Sequence, residues 1–161
     1  MRFVKWFEQV GAKDVALVGG KNASLGEMIR RLDKKGVSVP RGFAITAEAY
    51  KYVVDKAGIS RKIRDILADL DTHDMKSLSS KGKRIRELIK NAPYPEELGK
   101  EVRAAYREME QRYGKGVDVA VRSSATAEDL PTASFAGQQE TYLNVRGEEE
   151  LGEKVMECFA S

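Results

Sequence analysis

Val117-Asp-Val-Ala-Val-Arg-Ser-Ser-Ala-Thr-Ala-Glu-Asp-Leu-Pro-Thr-Ala-Ser-Phe-Ala-Gly-Gln-Gln-Glu-Thr-Tyr-Leu-Asn-Val145 is the longest part of the chain without helical periodicity. Val117, Val119 and Val121 alternate with Asp118, Ala120 and Arg122. This is the period-2 pattern of a strand with one apolar face, and it turns Arg122 away from the valines. Thr141 to Val145 reads as a second strand. The long loop between them is rich in Ser, Ala, Thr and Gly and is broken by Pro131. Loops of this length inside compact domains are either functional or disordered. Leu130, Phe135 and Tyr142 supply apolar anchors that argue against disorder. Gly137 lets backbone come close to a ligand, and the hydroxyls and amides supply hydrogen bonds. An ordinary hairpin turned by small residues accounts for the composition equally well.

Working outward, the next informative stretch is Gly19-Gly20-Lys21-Asn22. The apolar run before it, Asp14 to Val18, is too short to predict a helix. After it, Leu25, Met28, Ile29 and Leu32 fall at i, i+3, i+4 and i+7, so a helix is predicted from about Asn22 to Gly36. A glycine pair and a lysine at a helix entry suit an anion, because the first amides are unpaired and the helix dipole is positive there. The stretch is not a Walker loop: Val15 stands where that motif needs glycine, and Asn22 where it needs Ser or Thr. Taken alone, a tight turn with a solvated lysine explains it as well.

The other elements follow from spacing and caps. Phe3 to Phe7 reads as a short strand or turn-like entry, and Val39 to Thr46 as a turn into a short strand. Thr46 caps a helix to about Lys56, with Gly58 as its stop. Ile59, Ile63, Ile66, Leu67 and Leu70 mark an amphipathic helix introduced by Ser60. Met75, Leu78, Ile85, Leu88 and Ile89 mark another from about Asp74. Pro93-Tyr-Pro95 ends that run and starts a third, with Leu98, Val102, Ala105, Tyr106 and Met109 in phase until Gly114. These stripes are expected to be core, with Arg84, Arg86, Glu87, Arg103 and Glu108 on solvated faces. Glu148 to Ala160 predicts a last helix with Leu151, Val155 and Phe159 on one side. The fold class is α+β, helix-rich, with short strands and a long β-hairpin loop beside the Gly-Gly-Lys turn.

Composition narrows the function classes. The 28 Lys and Arg against 25 Asp and Glu leave a net charge of only +3, interspersed along helices, whereas a nucleic-acid surface needs its basic residues clustered. The single Cys158 excludes a disulfide framework and a cysteine-based metal site and fits a reducing cytoplasm. The amino terminus is too polar for a signal peptide, and no apolar run reaches membrane-spanning length. The chain is expected to be soluble and cytoplasmic, without nucleic-acid or membrane partners; a homo-oligomer is compatible with it.

Val-Arg-Ser-Ser-Ala-Thr-Ala-Glu-Asp-Leu-Pro at 121–131, followed by Ala-Ser-Phe-Ala-Gly-Gln-Gln-Glu-Thr at 133–141, resembles the nucleotide-binding segment of the phosphoenolpyruvate synthases, or pyruvate, water dikinases. Val-Gly-Gly-Lys-Asn-Ala-Ser-Leu-Gly-Glu-Met at 18–28 resembles the beginning of the same family, as does Val-Pro-Arg-Gly-Phe-Ala-Ile-Thr at 39–46. The resemblance implies that residues 1–161 are a partial N-terminal ATP-binding domain, the first lobe of an ATP-grasp-like fold, with a helical segment at about 60–113. The phosphohistidine and pyruvate-binding domains are expected beyond Ser161.

The family reaction turns ATP, pyruvate and water into AMP, phosphoenolpyruvate and phosphate through a phosphohistidine, a step of gluconeogenesis. By resemblance Lys21 contacts ATP phosphates, Arg122 stabilises charge during phosphoryl transfer, and Gly137, Gln138 and Thr141 surround the phosphates. The cofactors so implied are ATP and Mg2+, with the metal carboxylates expected beyond Ser161. No metal ligand is assigned here: Glu128, Asp129 and Glu140 are left out, and Asp129 suits a cap on its own loop. His73 lacks the glycine- and cysteine-rich surroundings of the carrier histidine and reads as a surface residue. The implied partners are ATP, pyruvate held by the missing domains, and the phosphohistidine domain of the same full-length chain. The full-length protein is then an ATP-dependent phosphotransferase, and this segment alone is inactive. Three alternatives remain: a pyruvate, phosphate dikinase, whose loop is methionine-rich; an antibiotic phosphotransferase of the same superfamily; and a non-catalytic nucleotide-binding module.

Overall fold

The computed structural model describes residues 1–126 and 140–161. The loop anchors Leu130 and Phe135, the cap Asp129 and the ligand positions Gly137 and Gln138 lie outside the described residues.

The chain opens with strand β1 (Val4–Trp6), followed by a 3-10 turn at Phe7–Gln9 and another at Ala12–Asp14. Helix α1 (Val15–Val18) is a single turn that leads directly into α2 (Gly20–Leu32). Sequence reasoning rejected a helix at Val15–Val18 because the run is short. The turn closes nonetheless, because the Gly19 N–H donates to the Val15 carbonyl at 2.8 Å and Val18 is buried. A 3-10 turn at Asp33–Lys35 carries the path from α2 to Gly36, the predicted stop.

Strand β2 (Phe43–Ile45) pairs antiparallel with β1 in the register Val4↔Ile45, Lys5↔Ala44 and Trp6↔Phe43. Thr46 then caps α3 (Ala47–Lys56) as predicted, its Oγ1 accepting from the Ala49 N–H. Helices α4 (Ser60–Leu67), α5 (Met75–Lys90) and α6 (Glu96–Tyr113) follow. The start of α5 is fixed by Asp74, whose Oδ1 accepts from the amides of Lys76 and Ser77. Pro95, which has no N–H to leave orphaned, stands at the N-cap of α6.

Strand β3 (Val119–Arg122) pairs antiparallel with β4 (Thr141–Val145), and α7 (Glu148–Ala160) closes the chain. Val119 faces Val145 while Val121 faces Tyr142, so three steps along β4 answer two along β3. The extra residue is a bulge, marked by Asn144 at φ +56°. Among the described residues there are thus two two-stranded antiparallel sheets and a majority of helix, an α+β architecture.

The main core joins β1, α3, α6 and α7 through Val4, Val53, Leu98, Val102, Tyr106 and Val155. Tyr106 is its largest fully buried side chain, and the hydroxyl is satisfied on both sides. It donates to the Val117 carbonyl at 2.7 Å and accepts from the Gly147 N–H at 2.9 Å, which ties α6 to the entry of β3 and the start of α7. On the opposite flank of α6, the Glu101 carboxylate accepts the amides of Arg2, Phe3 and Val4 at 2.9, 2.8 and 3.1 Å.

The helical middle departs from the expectation that its apolar stripes are all core. The stripe of α6 is buried, but in the run from Ile59 through α4 and α5 only Ile59 and Ile89 are, whereas Leu67, Met75 and Leu78 are 43%, 71% and 38% exposed. The reason is geometric: α4 lies along α5 at the rim of the molecule and buries none of its own residues. Arg103 also departs from the solvated face assigned to it. It is half-buried, donating to Glu96 at 2.8 Å with Glu148 at 4.0 Å. Glu108 is likewise half-buried, paired with Arg112. His73 is exposed between α4 and α5, as expected.

Candidate functional site

Helix α2 is held by its contact with the segment before it. Gly26 faces that segment so closely that a Cβ there would lie 2.7 Å from the Phe7 carbonyl oxygen and nearer still to that of Val10. Glu27 accepts the Ala12 N–H at 3.1 Å, and Arg30 donates to the Val10 carbonyl. These contacts fix where α2 begins. At that end Gly19 adopts φ +81°, a conformation that disfavours any side chain, and it meets the exit of β3. A Cβ on Gly19 would fall 2.7 Å from the Ser124 carbonyl oxygen, and the Gly20 N–H donates to the Ala125 carbonyl at 3.2 Å.

The structure therefore sets the Gly-Gly-Lys turn against the residues that follow Arg122. Lys21 is half-buried in the first turn of α2. Arg122 is the exposed last residue of β3, and in the antiparallel register its partner is Thr141, the first residue of β4. Of the residues singled out from sequence, Lys21, Arg122 and Thr141 thus come from elements that meet at one end of the hairpin. Ser123 extends the pairing by donating its N–H to the Glu140 carbonyl at 3.3 Å.

A cavity of about 520 Å³ opens beneath β3, with Phe43, Val119 and Val121 on its apolar side and Asn22, Arg122 and Ser124 on its polar side. Its size falls within the roughly 300–1,000 Å³ of small-molecule pockets. A larger cavity of about 920 Å³ lies between α4 and α5, lined by charged residues such as Asp65, Lys81 and Arg84, and none of the described candidate residues borders it. Asn22, buried in α2, donates to the Val18 carbonyl at 2.8 Å and so ties α2 back to α1. Among the described residues no group of three or more His, Cys, Asp or Glu side chains is arranged to hold a metal ion.

The far side of β4 is bound to α7. Tyr142 hydrogen-bonds Glu157, and Lys154 stands 4.9 Å from the centre of the Tyr142 ring and 3.1 Å from Glu157. Burial, and then the bond to Glu157, push the Tyr142 phenol up; the same bond and Lys154 hold the Glu157 carboxyl below its ordinary value. Cys158, beside them, is pushed up to about 11 by burial first and then by the negative charges of Glu157 and Glu140. A thiol near 11 in place of the ordinary 9 carries a roughly hundredfold smaller thiolate fraction at pH 8. Alkylation by iodoacetamide at pH 8 is accordingly expected to run about a hundredfold slower than for free cysteine and to climb as pH approaches the thiol's own value. A rate equal to that of free cysteine would contradict the burial.

Sequence reasoning missed Ser124 and its contact with Gly19. The only signal was the pair of hydroxyls after Arg122, which carries no information about what they face.

The helix turn, the strand end and the cavity fit an α+β nucleotide-binding domain, the class that the family match gives. The chain belongs to the family described as pyruvate phosphate dikinase, AMP/ATP-binding domain, whose sequence profile matches residues 15–161. It is 56% identical over 163 residues to a phosphoenolpyruvate synthase of Synechocystis sp., covering 98% of this chain and 20% of that protein. It is 51% identical over 162 residues to the phosphoenolpyruvate synthase of Helicobacter pylori, covering 100% of this chain and 20% of the relative. To a probable phosphoenolpyruvate synthase of Methanocaldococcus jannaschii it is 47% identical, over 100% of this chain and 13% of the other. The chain spans a fifth or less of the length of these relatives. No described helix is long and apolar enough to cross a membrane.

Proposed function

We propose that this chain is the first lobe of an ATP-grasp-like domain in a phosphoenolpyruvate synthase. The full-length protein then converts ATP, pyruvate and water into AMP, phosphoenolpyruvate and phosphate through a phosphohistidine. Support for the reaction comes from the likeness to phosphoenolpyruvate synthases, and support for the site from one observation, the hydrogen bond from Gly20 to Ala125 that sets the entry of α2 beside the end of β3. A positive helix dipole favours anions at that entry, and Lys21 and Arg122 are the cations carried by the two elements. Lys21 acts as a point charge on the phosphates, while the Arg122 fork can hold two oxygens of the group in transit.

Thr141, Gly137 and Gln138 are assigned to the phosphate surroundings through the family resemblance. The apolar wall of Phe43, Val119 and Val121 suits a nucleobase better than a phosphate. Mg2+ would neutralise the bound triphosphate, but the described residues form no ligand set for it, so no step is assigned to the metal here. Pyruvate and the carrier histidine belong to domains outside this chain, and the protein would act in the cytoplasm, as a monomer or homo-oligomer.

Two measurements test this. Full-length protein incubated with ATP and pyruvate in phosphate-free buffer is expected to yield AMP, phosphoenolpyruvate and free phosphate. A strict requirement for added phosphate, with pyrophosphate as product, would favour the phosphate-using dikinase instead. Residues 1–161 alone supply one wall of the site, and contacts of a lysine and an arginine to a solvated triphosphate are screened by salt. Calorimetric titration of this segment is therefore expected to give ATP affinity no tighter than about millimolar, near 4 kcal/mol. Micromolar binding would mean that the site is already complete within these residues.

A further inference from the structure

Ser123 Oγ and Ser124 Oγ are both shielded from solvent and have no hydrogen-bond partner among the described residues. Buried hydroxyls are nearly always paired, so each of these needs an explanation. Ser123 continues the strand ladder through its N–H to Glu140. The setting of Ser124 is different. Its Oγ packs over Gly19, close to where a side chain on that glycine would begin, and its own carbonyl and that of Ala125 are also turned to the Gly19–Gly20 turn. The hydroxyl thus lies at the start of the 13-residue helix α2, two residues beyond Arg122, and on the wall of the 520 Å³ cavity. A hydroxyl can donate one proton, and the neighbouring helix entry and guanidinium favour an anionic acceptor.

We propose that Ser124 is a ligand-contacting residue of this site, its Oγ–H donating to a polyphosphate oxygen held between the entry of α2 and Arg122. This rests on the nucleotide reading above and adds to it a residue outside the set of Lys21, Arg122, Gly137, Gln138 and Thr141. The glycine at position 19 follows from the same arrangement, since any side chain there would displace the hydroxyl.

The test compares binding of ATP and of adenosine to full-length protein with Ser124 intact, with Ser124→Ala and with the near-isosteric Ser124→Cys, alongside thermal melting of each. Loss of a hydrogen bond to a charged oxygen is expected to weaken ATP about tenfold in both variants, with adenosine affinity and melting temperature unchanged. ATP affinity that stays at the wild-type level in a folded variant overturns the assignment. Equal weakening of ATP and adenosine, or failure of both variants to fold, also overturns it by making Ser124 a packing residue. Wild-type protein that binds no ATP removes the nucleotide reading itself, an outcome visible before any variant is measured.

Discussion

Replacing Arg122 by Ala in the full-length polypeptide is expected to lower turnover by about 10²–10³-fold while changing ATP affinity by less than about tenfold. The asymmetry follows from when the charge develops. On the proposed reading, the guanidinium at the end of β3 would meet a solvated triphosphate in the ground state but a group with redistributed negative charge in the transition state. Arg122→Lys is expected to recover only part of the loss, because an ammonium keeps the charge and loses the two-pronged donor geometry. The measurement is kcat and KM for ATP together with a direct binding constant. Normal turnover in Arg122→Ala would remove the residue from the chemistry, and a loss confined to affinity would make it a binding residue only. Lys21→Ala, by contrast, is expected to weaken both quantities.

The second large effect is expected at Gly26, and its sign opposes helix propensity. In an isolated helix, Gly→Ala stabilises by up to about 1 kcal/mol. Here the added Cβ would press on two backbone carbonyl oxygens, those of Phe7 and Val10, which cannot swing aside as a side chain would. Gly26→Ala is therefore expected to destabilise the chain by about 3 kcal/mol, the upper end of overpacking costs. Because the displaced element carries Lys21, nucleotide affinity should fall with it. Denaturant unfolding of the two proteins decides the matter: a higher midpoint for the alanine variant would show that α2 does not approach the Phe7–Val10 segment as described.

What was readable in the amino-acid sequence is what local chemistry dictates. Thr46, Asp74 and Pro95 each mark a helix start because a cap or a missing N–H acts within a few residues. The valine alternation before Arg122 and the limits of β4 were likewise readable, since period 2 is a property of the strand itself. Three features were not. The turn at Val15–Val18 is held by what surrounds it, and length rules cannot supply that. The exposure of Leu67, Met75 and Leu78 depends on where α4 and α5 sit in the molecule, and the apolar stripes look the same in either position. The meeting of Gly19 with Ser124 is a tertiary event between distant parts of the chain, which neither glycine content nor hydroxyl content encodes. For the site, resemblance singled out Lys21, Arg122, Gly137, Gln138 and Thr141, and geometry alone led to the proposal of Ser124.

The carboxylate of Glu101 bears on the order in which the molecule is made. Its bonds to the amides of Phe3 and Val4 span 98 and 97 residues of chain. Closing a loop of that size costs about 4 kcal/mol of chain entropy before any contact returns it. Helices α3 to α6 can form from neighbours in sequence, whereas β1 acquires these acceptors only when α6 is in place. On a ribosome β1 is thus made well before the carboxylate that accepts its amide. Phe3 and Val4 leave the exit tunnel without this acceptor for their amides, and the rest of their buried cluster, Val145, Leu151 and Val155, is added later still.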